Sequence, residues 1–230
     1  GILNYSKYGI DKFYSANEEK KLHYFKQIRK SGERLMSLIN NLLDLSKLEA
    51  GKEEFRMEPA DILEIAKEAV LELQPIFNEK SLNAEVSNED LRTIVRCDNY
   101  KIGQVIRNLL SNAIKFSPEN GTVGILFKES SVLIDNKPIP ALKITIRDQG
   151  VGIPDGELDF VFDKFSQSSR TKTGAGGTGL GLAICQQIIR AHNGRIWAEN
   201  NPEGGTAFCF ELPELLTDRE LIKLHNGRIL

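Results

Sequence analysis

From Glu18 to Glu49 the chain has no proline and a single glycine, and Leu22, Phe25, Ile28, Leu35, Leu38, Ile39, Leu42, Leu45 and Leu48 recur mostly in steps of three and four. That spacing puts them on one wide stripe of a long helix, with Lys and Glu filling the other face. Gly51 and then Pro59 give the stop. The preceding "GILNYSKYGIDKFY" reads as the end of another helix, and "SANEE" as turn and cap. Two amphipathic helices cannot bury both stripes by themselves. The pattern is satisfied equally by a dimeric four-helix bundle and by an intramolecular hairpin packed on the rest of the chain.

After Pro59 the period changes. "DILEIAKEAVLELQPIF" is helical with Asp61 as N-cap, and "NYKIGQVIRNLLSNAIKF" is a helix capped by Asp98 and stopped at Ser117-Pro118. "TGLGLAICQQIIRAHNG" is a third helix ending at Asn193-Gly194. "LNAEVS", "RTIVRC", "TVGILFKE" and "ALKITIRD" alternate as strands, the last two joined through "IDNKPIP". "GRIWAEN" and "GTAFCFELP" predict a closing hairpin. Strands that follow one another without crossover helices favour a mixed or antiparallel sheet with helices on one face, an α+β layer.

Composition narrows the functions. The 230 residues allow one large or two small domains, and 27% charged with 40% hydrophobic residues is ordinary for a globular chain. A net charge of −2 gives no electrostatic case for nucleic acid or an anionic membrane. No apolar run approaches the roughly 18 residues of a membrane span. Cys97, Cys185 and Cys209 form no CxxC pair and read as small buried hydrophobes of a reduced, cytoplasmic protein. A start at Gly1, without a signal peptide, and an end at "NGRIL" lead us to expect a piece of something longer.

The candidate chemistry begins at the glycine cluster of "TKTGAGGTGLGLAI". A Walker A loop requires a lysine followed by Ser or Thr after the glycines, and none follows. Gly174, Gly176 and Gly179 satisfy G-x-G-x-x-G, but the dinucleotide fingerprint needs a buried strand directly before it, and "KFSQSSRTKT" is polar and basic. The remaining phosphate-binding option is a loop leading into a helix start. Thr178 is then the cap, and Gly179 and Gly181 leave backbone N–H groups bare for phosphate. Arg170 and Lys172 lie on the loop as a lid over a polyphosphate; a plain glycine-rich surface loop is the alternative. Asn108, Asn112 and Lys115 share one helix face at i, i+4 and i+7, with Leu109, Leu110 and Ile114 opposite. Two carboxamides and an ammonium suit a magnesium triphosphate, as a solvated polar face would also contain them. In "IRDQGVGIP", Asp148 ends a strand, while Gly150 and Gly152 let the chain press on a planar ligand. A carboxylate accepts the adenine amino group and opposes the guanine carbonyl.

These pieces occur in order over about a hundred residues, and together they resemble the catalytic core of sensor histidine kinases, in the ATPase superfamily shared with gyrase, Hsp90 and MutL. "NLLSNAIKFSP" resembles the N box, "DQGVGI" the first glycine box, "VFDKFSQ" the F box, "GGTGLGLAI" the second glycine box and "GGTAFCF" the last. "RLMSLINNLLDLSKLEAGK" is similar to the second helix of the dimerisation and phosphotransfer domain. The resemblance implies an α+β fold: a helical-hairpin bundle domain (1–52), a GHKL (Bergerat) α/β sandwich that binds ATP (53–214), and a tail (215–230). It implies a homodimeric four-helix bundle, ATP with Mg2+, and a response-regulator receiver domain as partner, with neither nucleic acid nor direct membrane contact. By the same resemblance Asn108, Asn112 and Lys115 are catalytic, with Asn112 the magnesium ligand, and Phe116 lies near the adenine that Asp148 reads. Gly150, Gly152 and Ile153 shape the base pocket. Gly177, Thr178, Gly179, Leu180, Gly181 and Thr206 bind the nucleotide, with Arg170 and Lys172 on the lid. Phe162 and Phe165 pack the lid base.

One departure matters. The family's phosphoacceptor box runs His-Glu-Leu-Arg-Thr-Pro-Leu before a stretch like "GILNYSKYG", and this chain begins after it. None of the three histidines replaces it. His23 reads as solvated, His192 as a cation at a helix C-terminus, and His225 lies in the tail. The expectation is therefore a protein-histidine kinase core without autophosphorylation in isolation. The alternatives are an ATP-sensing dimeric scaffold without phosphotransfer, and an ATP-hydrolysing clamp. The clamp relatives place a glutamate where this chain has Asn108, so hydrolysis is expected to be poor.

Overall fold

A computed structural model describes residues 1–88, 91–171 and 178–214. Helices α1 (Ile2–Asp11) and α2 (Glu18–Glu49) form a hairpin. Asn17 starts α2 by accepting the Lys20 N–H at 2.9 Å. Gly51, at φ 62°, ends it: its N–H reaches the Leu48 carbonyl, and that of Lys52 reaches Lys47. Tyr24 of α2 stacks on Tyr8 of α1, and most other apolar positions on these helices face outward. The foot of α2 differs. Leu45 is fully buried, and Leu38 and Leu48 pack against the same core.

The sheet has five strands in the order β2 (Asn83–Ser87), β4 (Thr122–Ile134), β5 (Lys137–Arg147), β7 (Thr206–Pro213) and β6 (Arg195–Asn200). The β2–β4 pair is parallel and the others antiparallel, so the sheet is mixed, as the strand spacing predicts. β1 (Glu58–Asp61) and β3 (Ile94–Cys97) make a separate antiparallel pair. The register stacks Ile125, Ile146 and Phe208 across three strands, and Phe127, Ile144 and Phe210 beside them. These rings and branches meet the buried faces of α3 (Ile62–Glu79), α4 (Asn99–Phe116) and α5 (Gly181–Ala191) in one core. Asp61 caps α3 through the Leu63 N–H (3.0 Å), and Asp98 caps α4 through the Lys101 N–H (3.0 Å).

One expected linker is a strand. "KPIP" belongs to β5, because Asp135 and Asn136 both take positive φ and turn the chain in two residues. At that end β5 has no strand on its far side, since β7 pairs only with Ala141–Arg147. Prolines 138 and 140 therefore break no ladder.

His192 also differs from its expectation. It is buried; its Nε2 accepts the Asp98 N–H at 2.9 Å, and Nδ1 lies 2.7 Å from the Ile188 carbonyl. An accepting Nε2 and a donating Nδ1 make it neutral, and burial pulls its pKa below the ordinary imidazole value. It is a tie between α5 and the start of α4, not a cation set against the helix dipole.

Candidate functional site

A cavity of about 640 Å³ lies between α4, the loop after β5, the start of α5, the first residues of β7 and the middle of α2. Asn108, Asn112, Lys115 and Phe116 line it from α4, while Leu109, Leu110 and Ile114 are buried behind them, so the predicted face division holds. The Asn108 amide donates to Cys185 Sγ at 3.3 Å. Among the described residues Asn112 has no hydrogen-bond partner, which leaves its carboxamide free toward the cavity. The Lys115 ammonium sits 4.7 Å from the Phe116 ring centre. Burial pulls its pKa below the ordinary lysine value, and the Arg34 guanidinium pulls it further.

Asp148 is 3% exposed, and its Oδ1 accepts the N–H groups of Gly150 (2.8 Å) and Thr206 (3.1 Å). Neither bond uses Oδ2. Burial raises its pKa above the usual carboxylate value, and the two backbone N–H groups act against that rise. Glycines are required around it. A Cβ on Gly150 would lie 2.6 Å from the Phe116 carbonyl oxygen, and one on Gly205, at φ 89°, would overlap the Asp148 carbonyl oxygen. Gly152 adopts φ 69°. Asn200 holds the next residue twice, accepting the Ile153 N–H at 2.9 Å and donating to the Ile153 carbonyl at 2.7 Å. Asn201 donates to the Asp148 carbonyl at 2.9 Å. Sequence reasoning passed over these two asparagines; the turn-forming run "ENNPEGG" was their signal.

At the start of α5 the first helical bond joins the Ile184 N–H to the Leu180 carbonyl, so the N–H groups of Gly181, Leu182 and Ala183 precede it. Gly181 is the contact point with α4: a Cβ there would press the Asn108 amide at 2.6 Å. Gly179 and Thr178 line the cavity, while Leu180 is buried in the core. Thr178 is not the helix cap. α5 begins three residues later, Leu180 occupies the cap position without a side-chain bond, and Thr178 Oγ1 instead accepts the Leu180 N–H at 3.3 Å and the Asn41 amide at 3.4 Å.

Gly152, Ile153 and Thr206 line the cavity, and Gly150 is not among its lining residues. Arg170 is turned back onto the Val151 carbonyl at 2.9 Å. Phe162 is buried and meets Phe208 edge-on, whereas Phe165 is 61% exposed with φ 61°. Lys172, Gly177, His225 and the tail 215–230 lie outside the described residues. Arg34, Ser37 and Asn41 of α2 line the cavity, which the sequence did not signal. Among the described residues Asp148 is the one carboxylate in the wall, no group of three His, Cys, Asp or Glu could hold a metal, and no helix is long and apolar enough to cross a membrane.

Residues 97–216 match the family described as histidine kinase-, DNA gyrase B- and HSP90-like ATPases, and residues 1–51 match the His Kinase A (phospho-acceptor) domain. The circadian input-output histidine kinase CikA of Synechococcus elongatus is 34% identical over 85% of this chain and 25% of its own length. Full-length ShkA in complex with AMPPNP superimposes with a TM-score of 0.69 at 25% identity, covering 90% of this chain and 41% of that one. Histidine kinase ThkA in complex with the response regulator TrrA gives a TM-score of 0.70 at 25% identity, covering 93% of this chain and 57% of that one. The chain spans roughly a quarter of the length of the curated relatives it matches.

Proposed function

The chain belongs to the histidine kinase-, DNA gyrase B- and HSP90-like ATPases and is a sensor histidine kinase catalytic core, and from that premise we propose that it binds ATP in the 640 Å³ cavity and delivers the γ-phosphoryl group to a histidine. The observation that carries this reading is the convergence of α4, the Asp148–Ile153 turn, the α5 start and Thr206 on one cavity.

The Asp148 carboxylate accepts the adenine amino group while Gly150 and Thr206 hold its other oxygen. Gly152 and Ile153 bring backbone against the base. The α5 start, with N–H groups ahead of its first bond, faces the phosphates, and Lys115 offsets their charge. The free carboxamide of Asn112 fits a hard cation that takes few protein oxygens and keeps several waters, with Asn108 beside it. When bound, magnesium supplies neutralisation of phosphate charge. With Asp148 turned to the adenine and a carboxamide at Asn108, the wall has no further carboxylate among the described residues to activate water, and we read the site as built to position rather than to hydrolyse.

The division at residues 52 and 53 assigns the hairpin to dimerisation and the sheet layer to ATP. A response-regulator receiver domain is the downstream acceptor, as the complex of ThkA with the response regulator TrrA suggests. The acceptor imidazole is not His192, which is enclosed by Asp98 and Ile188.

Calorimetric titration with ATP and GTP, each with and without magnesium, tests the nucleotide site. ATP binding that magnesium strengthens, with GTP silent, is expected; absence of ATP binding removes the reading. Transfer of labelled phosphate to a separate polypeptide carrying a phosphoacceptor histidine box separates a kinase from an ATP-sensing scaffold.

A further inference from the structure

α2 carries a polar feature to which the sequence motifs give no role at the cavity. Arg34, Ser37 and Asn41 fall at i, i+3 and i+7, and all three line the cavity. The helix is pinned there from below. Leu45 is fully buried in the core, Glu49 pairs with Lys164 at 2.7 Å, and Asn41 donates to Thr178 at the approach to α5. Arg29 and Glu33 pair with each other, but among the described residues Arg34 has no hydrogen-bond or ion-pair partner. Among the described residues Lys115 likewise has no carboxylate partner, and besides burial the Arg34 guanidinium pulls its pKa below the ordinary lysine value. Among the described residues the one carboxylate in the wall is Asp148, whose Oδ1 accepts the Gly150 and Thr206 N–H groups. Two unpaired cations and a helix N-terminus around one cavity call for a multiply charged anion.

We propose that Arg34 is a further binding residue for the phosphate chain of the nucleotide, so that the bundle helix α2 and the sheet layer share one ligand. The inference rests on the ATP reading above. A guanidinium forms charge-assisted, often bidentate bonds to phosphate oxygens. The contribution grows with phosphate number and is absent for adenosine, which the Asp148 end of the cavity holds alone. Bound polyphosphate thereby fastens α2 against the α5 start.

The test measures affinities of the whole 230-residue chain for adenosine, AMP and ATP at fixed salt and magnesium, in wild type, Arg34→Gln and Arg34→Lys. Arg34 is exposed, so the variants fold; equal melting temperatures check it. Arg34→Gln is expected to weaken ATP by about tenfold and to leave adenosine unchanged, with Arg34→Lys recovering part of the loss. Unchanged ATP affinity in Arg34→Gln overturns the proposal while the ATP site stands, and so does an equal loss for adenosine, which marks a structural role. A wild-type chain that binds neither ATP nor adenosine overturns the nucleotide reading, and this proposal with it.

Discussion

Asp148 carries the sharpest consequence of a single residue. Asparagine at 148 keeps an oxygen for the Gly150 and Thr206 N–H groups but turns an NH2 toward the adenine amino group. Two donors then face each other in a closed pocket, and ATP affinity is expected to fall by about a hundredfold, with little change in melting temperature. Calorimetry on Asp148→Asn checks both halves. The raised pKa gives a pH signature with two signs. In the proposed role ATP binding needs the carboxylate, so affinity is expected to drop as pH falls through the raised value. Stability of the unliganded chain moves oppositely. Between the unfolded and the raised folded pKa the folded state holds more protons, so this group lowers stability as pH rises through that window. Melting curves and titrations from pH 4 to 7 would show the crossing. Asp148 and its glycines were legible because a carboxylate at a strand end, followed by D-x-G-x-G, restricts the backbone locally. Gly205 was legible only as part of a motif; its role beneath the Asp148 carbonyl depends on β6 and β7 being paired, which no local pattern states.

Among the elements, α4 and α5 form the site by a direct crossing: Gly181 admits the Asn108 amide, and His192 ties the far end of α5 to the cap of α4. Replacing His192 with glutamine removes an imidazole that serves Asp98 and Ile188 together, in contact with the Phe55 ring. A loss of about 2 kcal/mol is expected from the unpaired buried groups. The lowered histidine pKa means the unfolded chain takes a proton first on acidification, so wild-type stability declines below about pH 6.5 and is flat above it for this group. Melting temperatures of His192→Gln should lack that decline; an identical pH profile in both proteins would contradict the neutral clamp. The periods of α3, α4, α5 and the alternating strands were readable because each buries one face. The extra length of β5 was not, since proline argues against a strand until its neighbour on the far side is known to be missing.

For the whole molecule, the two packings that the α2 stripe allowed divide along the helix. Its foot packs within the chain, where Leu38, Leu45 and Leu48 join the core; its upper part leaves Leu22 53%, Phe25 65% and Leu35 50% exposed. Sequence could not separate these, because one stripe serves both partners and only the docked sheet layer shows where it changes owner. At the foot, Leu45→Ala in a fully packed site is expected to cost about 2–4 kcal/mol and to loosen α2 from the cavity, seen as lower melting temperature with weakened ATP binding. At the top, an apolar stripe this long is stable in water against a second copy, which completes four helices from two hairpins. Light scattering on the chain is therefore expected to give twice its 25.8 kDa mass at micromolar concentration. Phe25→Glu places charges in that seam and is expected to give the single-chain mass while keeping ATP affinity, since Phe25 is not among the described residues that line the cavity. A wild-type chain that stays at 25.8 kDa at tens of micromolar would leave the upper stripe to another partner and remove the bundle from this account.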